Sequence, residues 1–133
     1  MRRVELMEHI RGVLSRDARV VAVYLFGSRA RGDDREASDV DVAVLLDEIP
    51  KATLDAPTFE LESRLEQVIG LPVQLIRLNE APPDLVHRVL RDGELVCESD
   101  RGRRIQFEIQ ARNAFFDLQP ILERYRKAPT AHQ

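Results

Sequence analysis

The chain has 133 residues, 44% of them hydrophobic and 32% charged, with a formal net charge of −3. That length allows one domain with its own core, and the slight acidic excess excludes a basic field broad enough to hold a nucleic-acid backbone. The longest apolar run is seven residues, against the ~20 that a membrane span needs; the single cysteine, Cys97, excludes an internal disulfide, and His9, His87 and His132 show no zinc-ligand spacing.

Val4, Leu6, Met7, Ile10, Val13 and Leu14 recur with helical period and predict a helix over 4–16. This N-terminal stretch lacks the apolar core of a signal peptide, so the cytoplasm is the expected location. Residues 19–26 are a β-branched and aromatic run, read as a buried strand that Gly27 ends. Ser28 is a good N-cap for a short helix through Arg31, which Gly32-Asp33-Asp34 closes. Residues 39–46 read as a second strand with alternate faces, Asp39/Asp41/Ala43/Leu45 and Val40/Val42/Val44/Leu46. Residues 47–57 read as a loop punctuated by Pro50 and Pro57.

A helix over 58–69 follows, with Phe59, Leu61, Leu65 and Val68 as its apolar positions and Gly70 as its stop. A third strand is expected over 73–78. Pro82-Pro83 opens a helix running to Arg91, Asp92-Gly93 reads as a turn, and 94–97 as a short strand in which Cys97 is a small buried residue. From residue 100 a long helix runs to 118; Pro120 is expected to interrupt or kink it before a short piece to 126, and the tail from 128 is expected to fray. The whole is read as a single domain over 1–126. Several connections are too short for parallel crossovers, so the fold class is α/β (α+β). A mixed β-sheet has helices packed on it, and its first two strands are antiparallel neighbours.

The chemistry concentrates where those two strands meet. Asp39 and Asp41 share one strand face, and two neighbouring carboxylates repel unless one keeps its proton or a cation sits between them. Paired hard oxygens, with substrate phosphates completing the shell, suit Mg²⁺. Gly27 allows a phosphate close to the backbone, and the amides after Ser28 and its hydroxyl can meet phosphate oxygens. The pattern therefore equips one sheet edge for a metal-bound triphosphate. Arg29 and Arg31 beside it read equally as charges for that triphosphate or as a solvated helix face. His87 reads as a structural histidine.

Gly27-Ser28-x10-Asp39-Val40-Asp41 resembles the signature of the DNA polymerase β-like nucleotidyltransferase superfamily, and the small size points to its minimal (MNT) branch. Gly27-Ser28-Arg29-Ala30-Arg31-Gly32 is similar to that branch's form of the motif. Leu78-Asn79-Glu80-Ala81-Pro82-Pro83 and Arg91-Asp92-Gly93-Glu94-Leu95-Val96 resemble the antitoxins of HEPN/MNT toxin–antitoxin pairs. The resemblance implies the polymerase β-like fold and transfer of a nucleotidyl group, usually AMP from ATP, with two Mg²⁺. It implies Asp39 and Asp41 as catalytic metal ligands, Gly27, Ser28 and Arg29 at the nucleotide, and a tyrosine of a HEPN-type RNase toxin as acceptor. A hetero-oligomer with that toxin is then expected, with no direct nucleic-acid contact and no membrane.

The superfamily completes its metal site with a third carboxylate on a later strand. The matching position here is Gln74, an amide that carries no charge and cannot act as a general base, a loss that typically costs ~10²–10⁴-fold in rate. Asp47 and Glu80 could substitute only if the fold bends them inward. Two rivals therefore accompany the enzyme: a nucleotide-binding antitoxin with lapsed catalysis that masks its partner, and a small-molecule nucleotidyltransferase, for which the chain looks too short. Residues 99–127 carry seven Arg/Lys against four Asp/Glu and four of the seven aromatics (Phe107, Phe115, Phe116, Tyr125). This segment reads either as a helix packed on the sheet or as a partner surface.

Overall fold

Two apolar runs, Val20-Val21-Ala22-Val23-Tyr24-Leu25-Phe26 and Val42-Ala43-Val44-Leu45-Leu46, form the centre of the molecule because both of their faces are buried. The computed structural model describes residues 1–31, 39–47 and 56–127, apart from the side chains of Ser28, Arg31, Ala56, Pro57 and Lys127. The expectations placed on Gly32-Asp33-Asp34, on Pro50 and on the tail from 128 lie outside the described residues. The elements are α1 (Arg3–Leu14), β1 (Val20–Phe26), α2 (Ser28–Arg31), β2 (Val40–Leu46), α3 (Ala56–Ile69), β3 (Val73–Arg77), α4 (Pro83–Asp92), β4 (Glu94–Glu98) and α5 (Arg101–Lys127).

The four strands form one mixed sheet in the order β3-β2-β1-β4. β1 runs antiparallel to both β2 and β4, while β2 and β3 are parallel, as a connection through α3 permits. One face packs Val23, Leu25, Val40, Val42, Val44 and Leu75 against Leu6, Ile10 and Leu14 of α1 and Leu61, Leu65 and Ile69 of α3. The other packs Ala22, Tyr24, Ala43 and Leu45 against Val86 and Val89 of α4 and Phe107 and Ala111 of α5. The mixed α/β sandwich is the fold class expected from the sequence.

Side chains from neighbouring helices cover the sheet edges. On the outer side of β3, Glu66 accepts from the Val73 amide and Glu62 from the Leu75 amide, both at 2.9 Å. At the opposite edge Arg11 of α1 donates to the Val96 carbonyl at 3.2 Å. These contacts satisfy groups that would otherwise offer a template to another strand. Asn79 closes the far end of β2 by accepting from the Leu46 amide (2.9 Å) and donating to its carbonyl (2.8 Å).

Several boundaries differ from expectation. α3 begins at Ala56 and takes Pro57 into its first turn, where a proline's missing amide costs nothing. Its buried row is Leu61/Leu65/Ile69, whereas Phe59 and Val68 are exposed, as is Val4 of α1. Asp92-Gly93 is no turn: Asp92 ends α4, and Gly93 caps it by donating to the Val89 carbonyl at 2.7 Å and passes in extended conformation into β4. A β-carbon on Gly93 would collide with the Val89 carbonyl oxygen and lie 3.1 Å from that of Leu25, so the tight passage from α4 into β4 requires the glycine. Cys97 is only half-buried, and burial pushes its thiol pKa up.

Pro120 does not interrupt α5. It removes the bond to the carbonyl four residues back, that of Phe116, and both residues are exposed, so water can take that carbonyl. A polar cluster ties α5 to the sheet: Tyr24 of β1 donates to Glu108 at 2.7 Å, Arg104 donates to the same carboxylate at 2.7 Å, and Arg104 also pairs with Glu98 of β4. Burial first, then the bond to Glu108, pushes the Tyr24 phenol far above its usual range, so it stays a donor. α5 thus packs across the sheet through Phe107 and Ala111, while Ile105, Ile109, Phe116 and Tyr125 remain exposed.

Candidate active site

The end of β1 and the start of β2 meet at one end of the sheet, with Phe26 opposite Asp41 in the antiparallel register. Along β2, Ala43 and Leu45 point into the α4/α5 layer, so the alternation puts Asp41 and Asp39 in the same row, further toward that end. Every other residue of β2 is buried; Asp41 is half-buried and Asp39, just before the strand, is exposed. A strand that buries both faces therefore opens to solvent where its carboxylates begin.

Gly27 follows Phe26 with φ of 76°, the left-handed region that favours glycine. A β-carbon there would collide with Oδ2 of Asp41 and lie 3.1 Å from its Cγ. The carboxylate of Asp41 thus rests against the bare backbone of Gly27, and this contact joins the glycine turn to the acidic pair. α2 follows as a single turn from Ser28; the hydroxyl expected of Ser28 lies outside the described side chains. Arg3 of α1 donates to the Ala30 carbonyl at 3.1 Å and pairs with Glu94 of β4 at 3.5 Å, which holds α2 to the body of the fold. Arg29 is only 3% exposed, so it belongs to no solvated helix face. A guanidinium at that depth is held by partners within the fold.

The parallel register sets Gln74 directly beside Asp41. Ile76, two residues on, packs in the α4/α5 layer, so Gln74 shares the face of the two aspartates, and it is exposed. Asp47 lies at the opposite end of β2 and pairs with Arg103, while Glu80 pairs with Arg77 at 3.2 Å. Neither is bent toward the acidic pair. Two carboxylates and one amide thus share a face, and their hard oxygens are of the kind that Mg²⁺ takes. Among the described residues no three His, Cys, Asp or Glu gather to hold a metal by themselves.

Sequence reasoning missed a cavity of ≈ 140 Å³ beside Gly27, lined by Phe26, Leu85, Arg88 and Asp92. Leu85, Arg88 and Asp92 follow helical spacing, and the direct passage of α4 into β4 brings that stripe over the end of β1; the stripe was legible, its destination was not. His87, between them in sequence, stacks on Phe115 with ring centroids 3.7 Å apart. A larger cavity, ≈ 560 Å³, lies at the outer side of β3 between Thr58, Phe59, Glu62 and Arg77. Size alone does not make it the reactive centre: its two carboxylates, Glu62 and Glu80, are engaged by the Leu75 amide and by Arg77.

The family described as "Polymerase beta, Nucleotidyltransferase" matches residues 8–102. A protein of Methanocaldococcus jannaschii named as a putative protein adenylyltransferase is 35% identical over 75 residues, covering 56% of this chain and 84% of that protein. The protein adenylyltransferase MntA of Thermococcus cleftensis is 38% identical over 68 residues, covering 51% of this chain and 66% of that one. A chain from the solved complex of a tri-AMPylated Shewanella oneidensis HEPN toxin with an MNT antitoxin superposes with a TM-score of 0.69 at 22% identity. It covers 93% of each chain, a likeness that speaks for the fold. The match over residues 8–102 shows the family: this chain belongs to the polymerase β nucleotidyltransferases.

Proposed function

We propose that this chain is a Mg²⁺-dependent protein adenylyltransferase of the minimal type, an antitoxin that moves AMP from ATP to a tyrosine of a HEPN-type RNase toxin. The observation that carries the reading is the contact of the Asp41 carboxylate with the bare backbone of Gly27, with Asp39 in the same row. The adenylyltransferase names of the two relatives and the AMPylated toxin of the solved complex support AMP as the group moved and a HEPN-type toxin as the protein that receives it. The cytoplasm is the matching compartment, and no described helix is long and apolar enough to cross a membrane.

In this reading Asp39 and Asp41 hold Mg²⁺, whose charge offsets the triphosphate's and draws electron density from the α-phosphorus. Gly27 admits the phosphates to the backbone, Ser28 adds a donor, and Arg29, from within, makes the turn more favourable to an anion. The acceptor hydroxyl oxygen forms a bond to the α-phosphorus, the bond to the β-phosphate oxygen breaks, and pyrophosphate leaves with the electron pair. The hydroxyl proton passes to solvent or to a base outside this site, since Gln74 cannot take it. Catalysis here is positioning and electrostatics.

Gln74 beside Asp41 favours a second reading, a nucleotide-binding antitoxin that neutralises its toxin by masking it. One experiment separates the two: the protein, ATP, Mg²⁺ and the product of the adjacent reading frame are mixed and weighed by intact mass. An AMP adduct on the partner supports the enzyme; a tight complex without adduct supports masking.

A further inference from the structure

Arg88 lines two cavities at once, the one beside Gly27 and a second of ≈ 300 Å³ between α4 and α5. The second runs past His87, stacked on Phe115, to Gln119, Leu122 and Arg126. We propose that this α4–α5 groove seats the acceptor as an acidic peptide segment of the partner protein, entering past Arg88 toward the Gly27 turn. The inference rests on the transfer reaction proposed above and names the chemistry of its acceptor.

Charge complementarity selects the occupant. Arg91 is engaged by Asp92 through bonds of 2.8 and 2.9 Å, whereas among the described residues neither Arg88 nor Arg126 is placed in an ion pair. Two exposed cations thus flank a floor of Phe115 and Leu122, with Asp84 as the remaining acid of the lining. The groove is a cationic strip on an acidic chain, lined by Arg88 of α4 and by Arg126 of α5, a helix in which Arg and Lys outnumber Asp and Glu. A single-stranded nucleic acid would also meet cations and an aromatic stack. The overall charge of −3 opposes a long phosphate backbone but not a short acidic peptide, whose few charges the two arginines can match.

The test uses the full chain and a fluorescein-labelled Glu/Tyr random copolymer, read by fluorescence anisotropy, with Mg²⁺ and a non-hydrolysable ATP analogue titrated separately by calorimetry. Arg126→Glu and Gln119→Glu place acid at the far end of the groove; Arg16→Glu, in the turn after α1, is the control. The copolymer is expected to bind the wild type and to bind both groove variants about tenfold more weakly, with the control unchanged. Nucleotide affinity should be equal in all four proteins. Equal copolymer binding by wild type and groove variants would overturn the proposal, as would a single-stranded RNA that binds more tightly than the copolymer and is lost on the same substitutions. A wild-type protein that binds no nucleotide would instead sink the transfer reading, a result the calorimetry reports independently of the copolymer.

Discussion

Gln74 of β3 stands beside Asp41 of β2 in the parallel register, on the sheet face that also carries Asp39. If Asp39 and Asp41 hold a cation as proposed, an amide stands beside them where a carboxylate would add charge. An amide oxygen can ligate but adds no charge and accepts no proton at neutral pH. Gln74→Asp is expected to raise Mg²⁺-dependent AMP transfer by about tenfold or more, part of the 10²–10⁴ a missing base costs. Single-turnover rates with the partner protein would show it; an unchanged rate in a folded variant would mean that position 74 does not serve the site.

Gly27 and Gly70 offer a controlled pair. Both have φ near the left-handed region, 76° and 78°, but a β-carbon meets Asp41 at Gly27 and nothing within 4 Å at Gly70. Gly70→Ala should cost about 1 kcal/mol from the backbone alone. Gly27→Ala should cost more and also displace the Asp41 carboxylate, so nucleotide affinity falls in this variant and holds in the other. Thermal denaturation and calorimetry on both proteins check this; equal losses would show that the contact with Asp41 is incidental.

The Tyr24–Glu108–Arg104 cluster fixes α5 across β1 and β4. Glu108→Ala leaves a buried phenol and a largely buried guanidinium without their shared acceptor, and about 1–3 kcal/mol of stability should be lost. Tyr24→Phe removes one donor and leaves Glu108 bonded to Arg104, so its cost should be nearer 1 kcal/mol. Urea denaturation of the two single variants and the double variant measures the coupling, which should be clearly different from zero.

Much of this arrangement was legible in the sequence. The two central strands were legible because β-branched runs bounded by Gly27 and Asp39 leave little else for the chain to do, and the i, i+2 rule put the aspartates on one side. The early start of α3 was not, because Pro57 reads as a breaker until it is known to occupy a first turn. The intact α5 was hidden for the same reason: a proline whose freed carbonyl faces water interrupts nothing. Exposed Phe59 and Val68 looked like core, since periodicity marks a stripe but not its width. Arg88 escaped notice because only the tertiary path from α4 into β4 brings it to Gly27.

Asp17 supplies a pH test away from the site. Arg19 holds it through side-chain bonds of 2.9 and 2.6 Å and a backbone bond of 2.9 Å, and its carboxyl lies below the ordinary value of 3.8. The folded state therefore binds this proton less readily than the unfolded chain. The resulting stability is fully present above that ordinary value and is lost as pH falls through the lower, folded one. Asp17→Asn should reduce stability at neutral pH and flatten its fall at the acid end. Denaturation midpoints from pH 7 to pH 2, as flat in the wild type as in the variant, would contradict the ion pair's role.

The central claim is that Asp39 and Asp41, set against Gly27, hold a divalent cation together with a nucleoside triphosphate. Its most direct measurement is calorimetric titration of a non-hydrolysable ATP analogue, with and without Mg²⁺, into the wild type and into Asp41→Asn and Asp39→Asn, which keep side-chain shape and remove charge. The predicted result is Mg²⁺-dependent binding in the wild type that both substitutions abolish while the proteins stay folded. Equal affinity in all three, or binding indifferent to Mg²⁺, would contradict the account.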